Sequence, residues 1–271
     1  MPELPEVEVT RRSVGPHLEG SVIRSARLGK PLRWPLGCCP SSLVGRKVLG
    51  VSRRGKYLIL KLSQGNLLVH LGMSGRLLMC SHETPDGPHD HFELITSTAC
   101  VRLRDPRRFG AVVFSDNLTH GPAAKLIGKL GVEPLSEEFT AQVLESACNR
   151  TRVSIKQLLL SGGVVAGIGN IYACEALYLA GISPDAPANG LKFQALERLR
   201  DAIQLLLNRS IGMGGSSLKD FLDAAGKKGG YQDMALVYGR SGRACQACGS
   251  AIKRFSQNQR ATYHCPVCQT L

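Results

Sequence analysis

Four of the ten cysteines of this 271-residue chain stand near its end as Cys245-x2-Cys248-x16-Cys265-x2-Cys268, and that spacing dictates how the tail folds. Each C-x2-C pair suits one tight knuckle, and two knuckles flanking sixteen residues suit a hairpin clamped on a single tetrahedral zinc ion. Four thiolates leave no open coordination position, so one structural Zn2+ is expected and no catalytic metal. The segment Gly239–Leu271 is too short to bury a core of its own, so metal binding supplies its folding free energy. The other six cysteines (Cys38, Cys39, Cys80, Cys100, Cys148 and Cys174) show no framework spacing. They read as free thiols of a reducing compartment.

Charge narrows the partner. Lys and Arg number 34 against 21 Asp and Glu, a net +13. Such an excess favours a polyanion, nucleic acid before an anionic membrane. Gly239–Leu271 alone carries +5, from Arg240, Arg243, Lys253, Arg254 and Arg260 with no acid, so the hairpin tip suits insertion between phosphates. No run of 18 apolar residues is present to span a bilayer. The first residues are acidic and helix-forming, unlike a signal peptide, and the expected location is the cytoplasm.

Along the chain, short β-like segments come first: Ser21–Arg27, Lys47–Ser52, Lys56–Leu62, Leu67–Leu71, Arg76–Cys80, His91–Thr96, Cys100–Arg104 and Ala111–Phe114. Many short strands without helices between them predict an antiparallel sandwich or barrel. Pro122–Leu130 reads as a helix and Gly131–Leu135 as a linker. Helical periodicity then covers Ala141–Asn149, Thr151–Leu160, Ile171–Ala180, Leu191–Arg209 and Ser216–Ala225. Three domains are expected: 1–130, 131–238 and 239–271.

The amino terminus, Met1-Pro2-Glu3-Leu4-Pro5-Glu6, carries chemistry only if Met1 is removed. An internal proline nitrogen is a tertiary amide, whereas a terminal one is a secondary amine able to condense with an aldehyde to an iminium. A free α-amino group titrates at roughly 7.7–8.0, so a modest depression leaves it nucleophilic at neutral pH. Pro5 suits a first helical position, and no breaker follows until Gly15-Pro16. Taken alone, the motif fits a plain surface helix better than a nucleophile.

Other segments suit DNA. Asn170 stands at the expected N-cap of Ile171–Ala180, after Gly167-Ile168-Gly169, where free amides offer a phosphate site or an ordinary interhelical turn. Met73 lies on a turn flanked by Gly72 and Gly75, and Arg107 and Phe109 share the loop Asp105–Gly110. Apolar groups that replace stacking, beside a guanidinium for an orphaned base, are what a wedge entering duplex DNA needs. His89-Asp90-His91 suits hydrogen bonding to phosphate or sheet better than metal binding.

Together, Met1 to Glu8, Lys56, His70-Leu71-Gly72-Met73-Ser74-Gly75, Asp105–Gly110, Gly167 to Ala173 and the four-cysteine ribbon resemble the bacterial formamidopyrimidine-DNA glycosylases over essentially the whole chain. The resemblance implies an α+β enzyme: an N-terminal antiparallel β-sandwich, then a helix–two-turn–helix domain with a zinc-ribbon β-hairpin. It implies a monomer acting on double-stranded DNA that contains an oxidised purine, with excision of the base followed by strand cleavage. Under the same resemblance Pro2 is the nucleophile at the sugar C1′, Glu3 a proton donor in ring opening, and Glu6 an assistant. Lys56 would bind the phosphate next to the lesion and promote β-elimination, and Arg260 would promote δ-elimination. Met73, Arg107 and Phe109 would fill the space of the flipped base, Arg107 facing the estranged cytosine. His89, Lys156 and Asn170 would hold the DNA backbone, and a mobile lid would lie within Ser216–Gln232.

Two positions depart from the family pattern. Ser161-Gly162-Gly163 stands where many members carry an Asp, and Thr151 where a Lys often contacts DNA, with Arg150 and Arg152 as substitutes. An endonuclease VIII-type enzyme acting on oxidised pyrimidines would share the proline and the ribbon, but Leu4, Met73 and Arg107 weigh against it. A zinc-containing DNA-binding protein without catalysis would keep the charge and the cysteines. It would give Pro2, Glu3 and Lys56 no reason to coexist.

Overall fold

A computed structural model describes residues 2–81, 83–216, 224, 226 and 229–270. Contacts divide the chain into two units, 1–129 with 213–230, and 130–212 with 231–271. The segment 213–230 therefore clusters with the first unit, not with the helical stretch read as 131–238. Met79 N–H donates to Ala224 O at 3.1 Å, and Ser216 N–H to Glu6 Oε1 at 2.8 Å.

The first unit opens with α1, Leu4–Leu18. The helix passes through Pro16 instead of ending before it. Near the end of a helix a missing N–H removes a single bond, and Glu19 N–H still reaches Gly15 O at 2.9 Å. Leu4, Val7, Val14 and Leu18 are buried at helical spacing.

Eight strands follow: β1 Ile23–Leu28, β2 Val48–Arg54, β3 Tyr57–Leu62, β4 Asn66–His70, β5 Arg76–Cys80, β6 Asp90–Thr96, β7 Cys100–Arg104 and β8 Ala111–Ser115. They form two antiparallel four-stranded sheets, ordered β1-β6-β7-β5 and β2-β3-β4-β8, the expected sandwich. The middle of the second sheet reads as unbroken apolar runs, Leu58-Ile59-Leu60 and Leu67-Leu68-Val69, because both of its faces are covered. Leu58, Leu60, Leu67 and Val69 enter the main core with residues of the other sheet. Ile59 and Leu68 face outward and pack with Ala123 of α2, Gly121–Ile127.

The second unit holds α3 Ala141–Cys148, α4 Ile155–Leu160, α5 Asn170–Ala180 and α6 Phe193–Gly212. The expected helix Thr151–Leu160 begins only at Ile155, since the Ser154 hydroxyl caps it by accepting Gln157 N–H. Helix α5 is buried almost all round. Its Glu175, fully buried, accepts the N–H groups of Leu236, Val237 and Tyr238 at 2.8, 2.9 and 2.7 Å, fixing the approach to the tail. The tail is the hairpin β9 Lys253–Gln257 and β10 Arg260–His264 between the cysteine pairs. Most of the expected helix Ser216–Ala225 lies outside the described residues.

Candidate active site

In the first unit the candidate catalytic groups gather where α1 starts. Pro2 is buried, and Glu3 and Glu6 are each 2% exposed. Glu3 is the N-cap, and its own N–H donates to Glu6 Oε2 at 2.7 Å. Since Glu6 Oε1 takes the N–H of Ser216, this one carboxylate ties the start of α1 to Ser216. A buried carboxyl group without such partners would be costly.

Lys56 stands on the β2–β3 hairpin. Arg54 pairs with Tyr57, leaving Gly55-Lys56 as a two-residue turn, and Gly55 takes φ +55°, a left-handed conformation that glycine adopts at no steric cost. Beside it, His70 packs on the Tyr57 ring at 4.8 Å between centroids. Burial, then the charges of Lys56 and Arg33, push the His70 imidazole down to about 4. It is therefore neutral at pH 7, as its Nδ1 must be to accept Gly72 N–H at 3.0 Å.

The three wedge candidates are exposed on two turns of this unit: Met73 41%, Phe109 43%, and Arg107 with its guanidinium carbon 4.9 Å from the Phe109 ring centre. Arg108 between them takes φ 57°, a left-handed conformation rare outside glycine. His89 is exposed, while His91 is buried and the Asp90 carboxylate is held by Arg104 at 2.7 and 3.1 Å.

The second unit carries the remaining groups. Arg260 is exposed at the head of β10, after a two-residue turn in which Asn258 and Gln259 have φ 47° and 60°. Both central residues at positive φ match the tight primed turn that suits strand twist. Asn170 is the first residue of α5 and Gly169 the N-cap, one position from the expected arrangement. Its side chain turns away from the helix, and Nδ2 donates to Ala261 O at 2.8 Å. Lys156 is fully buried, and its Nζ donates to Thr262 Oγ1 at 2.7 Å and Ala261 O at 3.3 Å. Both side chains thus hold the hairpin that presents Arg260. Gln257 adds a bond from Nε2 to Ser154 Oγ at 2.7 Å. Arg150 and Arg152 are exposed on either side of half-buried Thr151. Of the lid expected within Ser216–Gln232, residues 217–223, 225, 227 and 228 lie outside the described residues.

The Sγ atoms of Cys245, Cys248, Cys265 and Cys268 all lie within 4.8 Å of one another, the one cluster of its kind among the described residues. Cys245 and Cys268 are 3.9 Å apart and Cys248 and Cys265 3.4 Å. A tetrahedral thiolate site with bonds of about 2.3 Å has S···S edges of about 3.8 Å, so the four sulfurs fit around one metal ion. Tyr178 packs against the cluster, its hydroxyl 3.2 Å from Cys245 Sγ. Burial and the neighbouring sulfurs push the phenol up, which keeps its proton available to that sulfur.

Residues 1–112 match the model of the formamidopyrimidine-DNA glycosylase N-terminal domain, and residues 130–222 that of the formamidopyrimidine-DNA glycosylase H2TH domain. The chain belongs to the formamidopyrimidine-DNA glycosylase family. It is 51% identical over 269 residues to the formamidopyrimidine-DNA glycosylase of Albidiferax ferrireducens and 52% to that of an Acidovorax species, covering 99% of each chain. The crystal structure of the MutM (Fpg) protein of Thermus thermophilus superimposes with a TM-score of 0.89 at 36% identity, over 99% of this chain and 98% of that one. A Lactococcus lactis Fpg mutant in complex with DNA containing Fapy-dG matches at 0.92 and 34%, over the whole of both chains. A MutM complex with DNA containing carbocyclic 8-oxo-G matches at 0.91 and 34%, again over both whole chains.

The sequence pointed to the family's chemistry but gave no role to two groups within its motifs, Asp105 and Ser74. Asp105 is fully buried and Ser74 donates to it at 2.6 Å. The one clue was Asp before Pro in a loop closed by Gly, a common turn-forming combination.

Proposed function

We propose that this protein is a base-excision repair enzyme that removes oxidised purines such as 8-oxoguanine and formamidopyrimidines from double-stranded DNA, then cuts the backbone as an abasic-site lyase. It acts as a monomer, on DNA in the cytoplasm. The observation that carries the reading is the buried corner of Pro2, Glu3 and Glu6, held by backbone bonds at the start of α1. Buried acids fixed beside a proline nitrogen have no evident use in a protein that only binds DNA.

With Met1 removed, the Pro2 nitrogen attacks C1′ as a secondary amine, the bond from C1′ to the base breaks, and the base leaves with the proton that the amine gives up. Glu3 gives a proton to the deoxyribose ring oxygen, the ring opens, and the nitrogen and C1′ are left as an iminium. Loss of a C2′ proton then expels the 3′ phosphate, with Lys56 binding the adjacent phosphate. A second elimination expels the 5′ phosphate with Arg260 beside it. Hydrolysis of the iminium returns the free proline. Glu6 acts through the bonds that fix Glu3 and Ser216. His89 contacts the DNA backbone, while Lys156 and Asn170 serve it through the hairpin they hold.

Cys245, Cys248, Cys265 and Cys268 hold one structural Zn2+. All-thiolate tetrahedral ligation suits zinc, and the bound ion supplies folding free energy to the hairpin and takes no part in the reaction.

The test is base release. A duplex carrying 8-oxoguanine should yield the free base and cut strands, and borohydride added during turnover should leave a covalent protein–DNA adduct. A faster reaction on an oxidised pyrimidine would favour the endonuclease VIII-type alternative. Binding without base release or adduct would reject catalysis.

A further inference from the structure

Six polar contacts converge on one small region of the first unit. The Asp105 carboxylate, fully buried, accepts Ser74 Oγ–H at 2.6 Å and Arg107 N–H at 3.3 Å through Oδ1, and Gly110 N–H at 2.7 Å through Oδ2. Ser74 Oγ itself accepts the same Arg107 N–H at 3.3 Å. The Asp105 backbone joins in: its N–H donates to His89 O at 2.9 Å, and its carbonyl accepts Arg108 N–H at 3.1 Å. The carboxylate thus closes the loop that carries Arg107 and Phe109 upon itself. Through Ser74 it also reaches the separate turn that carries Met73, 31 residues earlier.

The two turns also touch backbone to backbone. A Cβ at Gly72, whose φ is +63°, would lie 2.4 Å from Gly110 N and 2.5 Å from Phe109 C. At Gly110 a Cβ would lie 3.0 Å from Asp105 Oδ2 and from His70 O. No side chain fits between the turns, so neither can shift without the other. Buried hydrogen bonds to a carboxylate are the strong kind, and a buried carboxylate that lost them would be costly, so the arrangement resists opening.

We propose that Asp105 and Ser74 are positioning residues that join the Met73 turn and the Arg107–Phe109 turn into one rigid wedge, and that opposite-base discrimination depends on this junction. The inference rests on the reading that Met73, Arg107 and Phe109 enter the duplex in place of the flipped base. A guanidinium must sit within a few tenths of an ångström to pair with an orphaned base, and Arg107 has an exposed, rotatable side chain. Its backbone is held at Asp105 and Ser74. Loss of the Ser74 hydroxyl removes the side-chain bond between the two turns and one of the two acceptors of Arg107 N–H.

The experiment is single-turnover excision of 8-oxoguanine placed opposite cytosine and opposite adenine, by the full chain and by Ser74→Ala, Arg107→Ala and the double variant. The readout is the ratio of the two rates, because general damage to the fold lowers both together. Ser74→Ala should lower the cytosine preference by roughly fivefold, the equivalent of one hydrogen bond. Adding it to Arg107→Ala should lower the ratio no further. Asp105→Asn, which turns a donor toward Gly110 N–H or Ser74, should lower the ratio at least as much. If Asp105→Asn does not fold, Ser74→Ala still decides. An unchanged ratio in Ser74→Ala, with the preference lost in Arg107→Ala, would overturn the positioning role alone. An unchanged ratio in Arg107→Ala would instead overturn the wedge reading beneath it.

Discussion

Glu3 donates its backbone N–H to the Glu6 carboxylate at 2.7 Å, in a corner where both residues are 2% exposed. The second Glu6 oxygen holds Ser216 N–H. Glu6→Ala would leave two buried amides without this acceptor, each at about 1–3 kcal/mol. Urea denaturation should show a loss of roughly 2 kcal/mol or more. A midpoint equal to that of the unaltered protein would mean that the carboxylate does not organise the corner.

His70 gives the fold a pH dependence. The unfolded chain takes up this proton near pH 6.5, the folded one only near 4, so the unfolded state binds more protons in between. Stability from this group is full above about 6.5 and falls as pH drops toward 4, by up to about 3 kcal/mol. His70→Asn keeps an acceptor for Gly72 N–H and does not titrate. Its stability relative to the unaltered protein should therefore rise between pH 7.5 and pH 5, a comparison that urea midpoints at the two pH values supply. A constant difference would contradict the assignment.

Metal and DNA contact should separate by mutation. Cys248→Ser should lose bound zinc and DNA affinity together, since an unformed hairpin cannot present Arg260. Arg260→Ala should keep stoichiometric zinc, bind more weakly and slow the second strand cleavage. Metal analysis beside a binding titration reads both. Metal-free protein that incises a lesion duplex at the full rate would show that the hairpin has no part in DNA contact.

Arg107 should read the base left behind. Orphaned cytosine offers acceptors at O2 and N3, whereas adenine presents a donor at N6 toward the guanidinium. The mismatch is worth about 1–3 kcal/mol, or roughly five- to a hundredfold in rate. Excision opposite cytosine should exceed that opposite adenine by such a factor, and Arg107→Ala should erase most of the difference in single-turnover rates. Equal rates in the unaltered protein would sink the assignment.

Much of this was written in local patterns. The strands Arg76–Cys80 and Cys100–Arg104 were legible to the residue from their apolar content and flanking turns. The cysteine spacing foretold a cluster because knuckle geometry is local. Contacts distant in sequence were not legible. Lys156 is a residue type that is almost always exposed, and its burial goes with bonds to Ala261 and Thr262, 105 and 106 residues later. Asn170 looked like a cap because its partner, Ala261 O, is 91 residues away. Nor could periodicity reveal that 213–230 belongs with the first unit, since Ala224 O bonds a strand edge and Ser216 a carboxylate of α1. The Asp105–Ser74 junction was hidden for the same reason.

The central claim is that the Pro2 nitrogen does the chemistry, and the state of Met1 tests it most directly. Borohydride trapping on one 8-oxoguanine duplex should be compared for protein whose mass shows Met1 removed and protein whose mass shows it retained. With Met1 attached the nitrogen is a tertiary amide with no lone pair to offer. The processed protein should form the covalent adduct, and the Met1-retaining protein should bind the duplex but form none. Equal trapping by the two would contradict the account.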